Sequence, residues 1–120
     1  MPTTNPKKYI LRFAAANKKT FDAIKSGAKT VETRAGTLRY LPIKAGDVLV
    51  CVCGTNRLEK TVKKVTHVKS ISALLKKYDP GVINPGVTDL KGMEKMYYSY
   101  PGYKEKIEQY GILAFELSQP

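Results

Sequence analysis

The sequence predicts an α+β fold: a small β-barrel of about five or six strands flanked by helices. Three observations predict it. Short strand-like stretches alternate with helical patterns in mixed order. Val48–Cys53 is apolar at every position, as in a strand covered on both sides. The stretch from Arg57 to Val68 shifts its apolar phase between Val62 and Val65. A bulge near Lys63-Lys64 explains that shift and lets the strand bend around a barrel.

The elements follow in order. Residues 1–8 read as a flexible N-terminal tail, polar and with two prolines. Residues 9–117 read as a single domain, the natural count for 120 residues and enough chain to bury a core. Tyr9–Phe13 is the first strand. Asn17 is placed to cap a helix running through Phe21 and Ile24, and Gly27 to end it. Lys29–Arg34 is the second strand. Gly36–Lys44 is a loop and Gly46-Asp47 a turn into the apolar third strand. Gly54-Thr55-Asn56 turns the chain into the long fourth strand. Ser70 or Ser72 suits the cap of a short helix with Ile71, Leu74 and Leu75 inward. Asp79–Val87 is a loop marked by its Pro-Gly signals. Thr88 suits the cap of a helix carrying Leu90, Met93 and Tyr97. Gly111–Leu117 closes the fold, and the short apolar first and last strands are expected to pair.

Net charge is +11, and it is unevenly spread. Residues 1–77 hold seventeen Lys and Arg against four acids, or +13; residues 78–120 hold four Lys against six acids, or −2. Such a field favours an anionic partner, with nucleic acid first among them. Solubility alone also explains charge of this kind. No apolar run is long enough to span a bilayer, and the polar N-terminus lacks an apolar leader, so no membrane is expected. Cys51 and Cys53 lie at i and i+2, poorly placed to bridge, which suits a reduced, buried pair in a cytoplasmic protein. With one histidine, His67, and no second cysteine pair, no metal is expected, and nothing implies a cofactor.

The densest chemistry lies in Gly27-Ala28-Lys29-Thr30-Val31-Glu32-Thr33-Arg34. Strand alternation puts Glu32 and Arg34 on one side, with Lys29 at the turn before them. They form either a solvated surface ion pair or a grip on one ligand. Lys29 and Arg34 are expected to be open to solvent and dispensable to the fold.

The chain resembles the ASCH family of the PUA-like superfamily over about Tyr9 to Leu117. The pieces that carry the resemblance are Phe21-x-x-Ile24-Lys25-x-Gly27-x-Lys29-Thr30-x-Glu32-x-Arg34 and Ile43-Lys44-x-Gly46-Asp47. Further on come Val65-x-x-Val68-x-Ser70, Pro85-Gly86-Val87 and Gly111-Ile112-x-Ala114-Phe115-Glu116. The resemblance implies a PUA-like β-barrel flanked by helices, with a cleft beside the signature strand, and binding of RNA or another nucleic acid. It also implies two alternatives: a ribonuclease, or a hydrolase of a modified nucleoside such as N4-acetylcytidine. In the deacetylating branch a lysine, a threonine and a glutamate are thought to act. Lys29 matches the lysine, but Glu32 stands at the threonine position, and no glutamate lies in Asp79–Val87.

On this reading RNA or another single-stranded nucleic acid, or a nucleotide, is the expected ligand. Lys29 supplies a point charge, Arg34 a planar fork for phosphate or a base edge, and Glu32 an acceptor for an exocyclic amine. If the chain is an enzyme, Lys29 and Glu32 are the catalytic candidates. Lys18, Lys19 and Arg39, with Lys25, Lys44, Lys63 and Lys64, are candidates for a basic rim. Tyr98, Tyr100 and Tyr103 are candidates for stacking on unpaired bases, while Tyr97 and Tyr110 are expected in the core. A basic adaptor that uses the cleft for a protein partner is the third class considered.

Overall fold

The computed structural model describes residues 5–119. Residues 1–4 of the expected tail lie outside that range. Within it, the backbone is already tied down at Lys7, whose N–H donates to Asp47 Oδ1 at 3.1 Å and whose carbonyl accepts from Val48. The first strand, β1, is Lys8–Arg12, so the ordered sheet begins inside the segment read as tail.

The other elements are α1 (Lys18–Ser26), β2 (Val31–Ala35), β3 (Val48–Cys53), β4 (Asn56–Val68), α2 (Ile71–Leu75), α3 (Pro80–Ile83), α4 (Leu90–Tyr98), α5 (Tyr103–Tyr110) and β5 (Ile112–Leu117). A 3₁₀ turn at Ala15–Asn17 leads into α1. The strands form a five-stranded half-barrel in the order β1-β3-β4-β5-β2. β1 runs parallel to β3, and every other pairing is antiparallel.

The 13-residue β4 is the spine of this sheet. Its first half pairs with β3 and its second with β5, with the register shift between Val62 and Lys64. The shift falls where the apolar phase of the sequence breaks, and the extra residue bends the strand. The first and last strands do not pair. β5 lies between β4 and β2, which leaves β1 and β2 as the two edges. β5 has β4 on one side and pairs antiparallel with β2 on the other, so no edge of β5 is left for β1.

Two apolar clusters sit on opposite faces of the sheet. Inside the half-barrel, Phe21 and Ile24 of α1 pack with Leu11, Leu49, Cys51, Leu113 and Phe115. On the other face, α2 to α5 bring Leu74, Ile83, Met93, Tyr97 and Ile107 onto Val31, Val68, Ile112 and Ala114. Truncating one of the large buried side chains costs about 3–5 kcal/mol.

Local signals explain the ends of the elements. Gly27 ends α1 at φ 88, a left-handed backbone that glycine adopts without a Cβ penalty. Asn17 precedes α1 but makes no side-chain cap. Ser70 caps α2, accepting from Ala73 N–H. Asp89, not Thr88, caps α4 through Gly92 N–H. Asp79 accepts from Gly81 N–H and starts α3, a short helix inside the segment read as loop. Asp47 is fully buried; its carboxylate accepts from the Lys7 and Lys44 N–H groups and locks the turn before β3. Tyr97 is buried, whereas Tyr110 is 41% exposed and does not pack under the last strand.

Candidate functional site

β2 is an edge strand whose two sides do different work. Thr33 pairs with Ala114, in the cluster under the helices, and its hydroxyl meets the Tyr97 hydroxyl there. Glu32 and Arg34 sit opposite Phe115 and Leu113 and so face the half-barrel interior. Alternation along the strand accounts for this split.

Lys29 lies just before β2 and is only 3% exposed. Its ammonium donates to the carbonyls of Val31 and Ile83 and lies 3.3 Å from Glu32 Oε1. An ammonium has three protons, and these partners occupy all of them. Lys29 therefore pins the start of β2 to the end of α3. It is not open to solvent, contrary to the reading from sequence; the local pattern places it at a turn but does not show that α3 folds over it.

Glu32 is the hub. Oε1 accepts from Thr33 N–H at 2.9 Å and faces Lys29, and Oε2 accepts from Arg34 at 3.2 Å. Burial alone pushes the carboxyl up, but Lys29, Arg34 and the Thr33 N–H together hold it below the usual carboxylate value. Burial pulls Lys29 below the ordinary lysine range, opposed by Glu32. Burial would also lower Arg34, but Glu32 outweighs it and the guanidinium stays charged. The trio is two cations and one anion, a net +1.

Arg34 differs from the other two. Its guanidinium lies 5.1 Å from the Phe13 ring centroid and 5.8 Å from that of Tyr40, and its side chain keeps 18% exposure. Two aromatic contacts of this kind hold the fork in place, at about 0.5–2 kcal/mol each. Among the described residues Glu32 takes the one hydrogen bond the fork makes, out of five N–H donors.

The trio lines a cleft of about 310 Å³. Both edge strands contribute to it, β1 through Arg12 and Phe13 that follows it, β2 through Glu32, Thr33 and Arg34. The opposite wall is Tyr97, Tyr100 and Tyr103 from α4, α5 and the link between them. Tyr103 stacks on Tyr97 at 6.2 Å and meets Tyr100 edge-on at 5.7 Å, and its hydroxyl accepts from Ala35 N–H. Burial pushes all three phenols up, so they are neutral at physiological pH. Asn17 and Thr20 at the start of α1, with Ile83, Asn84, Met96, Pro101 and Lys106, complete the lining.

Of the residues read from the sequence, Lys29, Glu32, Arg34, Tyr100 and Tyr103 come together here. Lys18, Lys19, Arg39 and Tyr98 do not line the cleft. Lys18 is exposed on α1 and paired with Asp22 at 2.9 Å. Lys19 is exposed on the same helix. Arg39 is exposed in the loop after β2, with its guanidinium 5.5 Å from the Tyr40 ring centroid. Tyr98 turns outward beneath Lys104. The sequence reading missed Arg12, Phe13, Thr20, Asn84 and Lys106 as site residues and read Asn17 only as a helix cap. Asn84 was visible only as part of a loop signal, and the others bring no motif of their own. Among the described residues, no group of three or more His, Cys, Asp or Glu could hold a metal ion. No helix there is long and apolar enough to cross a membrane.

The profile of the ASCH domain matches residues 16–119, and the chain belongs to the ASCH domain family. Its fold is similar to the crystal structure of the hypothetical protein PH0355, with a TM-score of 0.79 and 25% identity over 92% of this chain and 97% of that one. It is also similar to the solution NMR structure of protein PF0455 from Pyrococcus furiosus, with a TM-score of 0.68 and 23% identity over 92% and 96% of the two chains. No curated protein matches.

Proposed function

We propose that this ASCH domain binds single-stranded RNA and takes one unpaired nucleotide into the cleft. One observation carries the reading. Arg34 lies 5.1 Å and 5.8 Å from two aromatic ring centroids, makes a single hydrogen bond, to Glu32, and keeps 18% exposure in a cleft that three tyrosines also line. Four N–H donors remain for a phosphate or for acceptors on a base edge. The exposed part of Tyr100 offers a face for stacking. Arg12 and Lys106 give the rim a positive charge, and membership in a family generally thought to bind RNA agrees with it.

The same geometry favours binding over hydrolysis of RNA or of N4-acetylcytidine. Lys29 has no proton to spare, and Glu32 is a carboxylate weakened as a base by two cations. No hydroxyl stands at position 32.

The test is fluorescence anisotropy with a labelled single-stranded oligoribonucleotide across a salt series. Affinity should fall with a slope of about −0.7 per phosphate contacted. Arg34→Gln keeps a donor for Glu32 but loses the charge and the fork, and should weaken binding about tenfold or more. Affinity that ignores salt, or an Arg34→Gln protein that binds as wild type, would overturn the proposal.

A further inference from the structure

The sheet has a second accessible surface. Leu11, Leu49, Cys51 and Cys53 face the half-barrel interior, so the alternate residues of β1 and β3 face away from it. On that outer side three in-register rows cross β1, β3 and β4. They are Lys8–Val48–Thr61, Ile10–Val50–Glu59 and Arg12–Val52–Arg57. α1 packs inside the half-barrel, and α2 to α5 pack with Val31, Val68, Ile112 and Ala114 at the other end of the sheet. Neither cluster includes a residue of these rows. Ile10 is 45% exposed and the Lys8 and Arg57 side chains are 61% and 60% exposed, while Val50 at the centre is 1% exposed and Val48 and Val52 are half-buried, so the open part of this face is its charged margin and Ile10.

The charge on this face is net positive. Lys8, Arg12 and Arg57 stand against a single acid, Glu59, for a net +2. Glu59 lies 3.3 Å from Lys8 and 3.8 Å from Arg57, so the lone carboxylate is already covered. The face is also continuous with the cleft. Arg12 lines the cleft and begins the row that ends at Arg57, two strand spacings or about 10 Å away.

We propose that the RNA strand leaving the cleft runs across the outer face of β1, β3 and β4. Its phosphates meet Arg12, Arg57 and Lys8, and its sugars lie over Ile10, Val48 and Val52. The proposal rests on the reading of the cleft as a nucleotide site. Continuity through Arg12 selects RNA over an acidic polypeptide, which would have no reason to begin at the cleft mouth.

The experiment compares labelled single-stranded oligoribonucleotides of four and twelve nucleotides, with the wild-type chain and a Lys8→Ala/Arg57→Ala variant. Both substituted side chains are exposed and lie outside the cleft. Unchanged melting confirms that the variant is folded. The expected result is an intact affinity for the four-mer, a roughly fivefold loss for the twelve-mer, and a salt slope lower by about 1.4 for the twelve-mer alone. A variant that binds the twelve-mer like wild type overturns the path across the sheet and leaves the cleft standing. Equal losses for both probes overturn it too, because the substitutions then act through the cleft. A wild type that binds neither probe removes the cleft reading and this proposal with it. Polyglutamate that competes with the twelve-mer on wild type, at equal charge, but not on the variant would reassign the face to an acidic protein.

Discussion

Replacing Lys29 with Met tests whether the signature builds the site or only lines it. Met keeps most of the stem and removes the ammonium. Three partners lose their donor at once: the carbonyls of Val31 and Ile83, and Glu32 Oε1. Glu32 would then be a buried carboxylate with Arg34 and Thr33 N–H as its remaining partners. Breaking one side of a buried ion pair costs about 3–5 kcal/mol. That is a large share of the roughly 5–15 kcal/mol that holds a domain together. For a chain of this length the melting temperature should fall by about 10–20 °C. Urea denaturation should show a lower midpoint at an unchanged slope, which separates lost stability from a looser native state. A Lys29→Met/Glu32→Gln protein should be less destabilised than the two single losses added, because the second change removes the stranded charge. A Lys29→Met protein that melts within about 3 °C of wild type would refute the reasoning and return Lys29 to the role of a free ligand-binding charge.

Two further outcomes follow from the same structure. Glu32 is held below its ordinary value of 4.5, so its stabilising contribution is complete above that pH and is lost as pH falls through the folded-state value; Glu32→Gln should therefore be less stable than wild type at pH 7 and show a flatter loss of melting temperature on acidification. Gly111 sits at φ 73 between α5 and β5, where an added Cβ would run into the Val68 carbonyl oxygen, so Gly111→Ala should cost about 2 kcal/mol or more by chemical denaturation.

Much of the fold was legible because it is written in local chemistry. The unbroken apolar run Val48–Cys53 gave β3, the phase shift after Val62 gave the bend in β4, and Gly27 marked the end of α1. The pairing of strands was not legible. β1 and β5 are both short and apolar, and nothing in either says that β5 lies between β4 and β2. That choice depends on where β4 bends in space. The site divides in the same way. Glu32 and Arg34 share a face by alternation, as their spacing implies, but burial of Lys29 depends on Ile83, 54 positions away. Lysines on α1 and Arg39 looked like a rim because they are near the signature in sequence. In the fold they are exposed and do not line the cleft, while Lys106, far along the chain, does.

The Lys-x-x-Glu-x-Arg spacing is best understood as a device for presenting one guanidinium. A lone arginine in a cleft has many rotamers and pays entropy to bind. Here the carboxylate of Glu32 takes one hydrogen bond from the fork, and the Phe13 and Tyr40 ring centroids lie 5.1 Å and 5.8 Å from it. A carboxylate with only that partner would carry an unbalanced charge in a buried place. Lys29 and the Thr33 N–H supply the balance from the far side, leaving Arg34 with donors in excess. The three charged residues are therefore unequal. Lys29 anchors, Glu32 transmits the anchor to Arg34, and Arg34 keeps N–H donors that the protein does not use. If the proposed nucleotide site is right, substitutions at position 34 should act on binding, and substitutions at 29 and 32 should act on stability and reach binding only through the placement of Arg34.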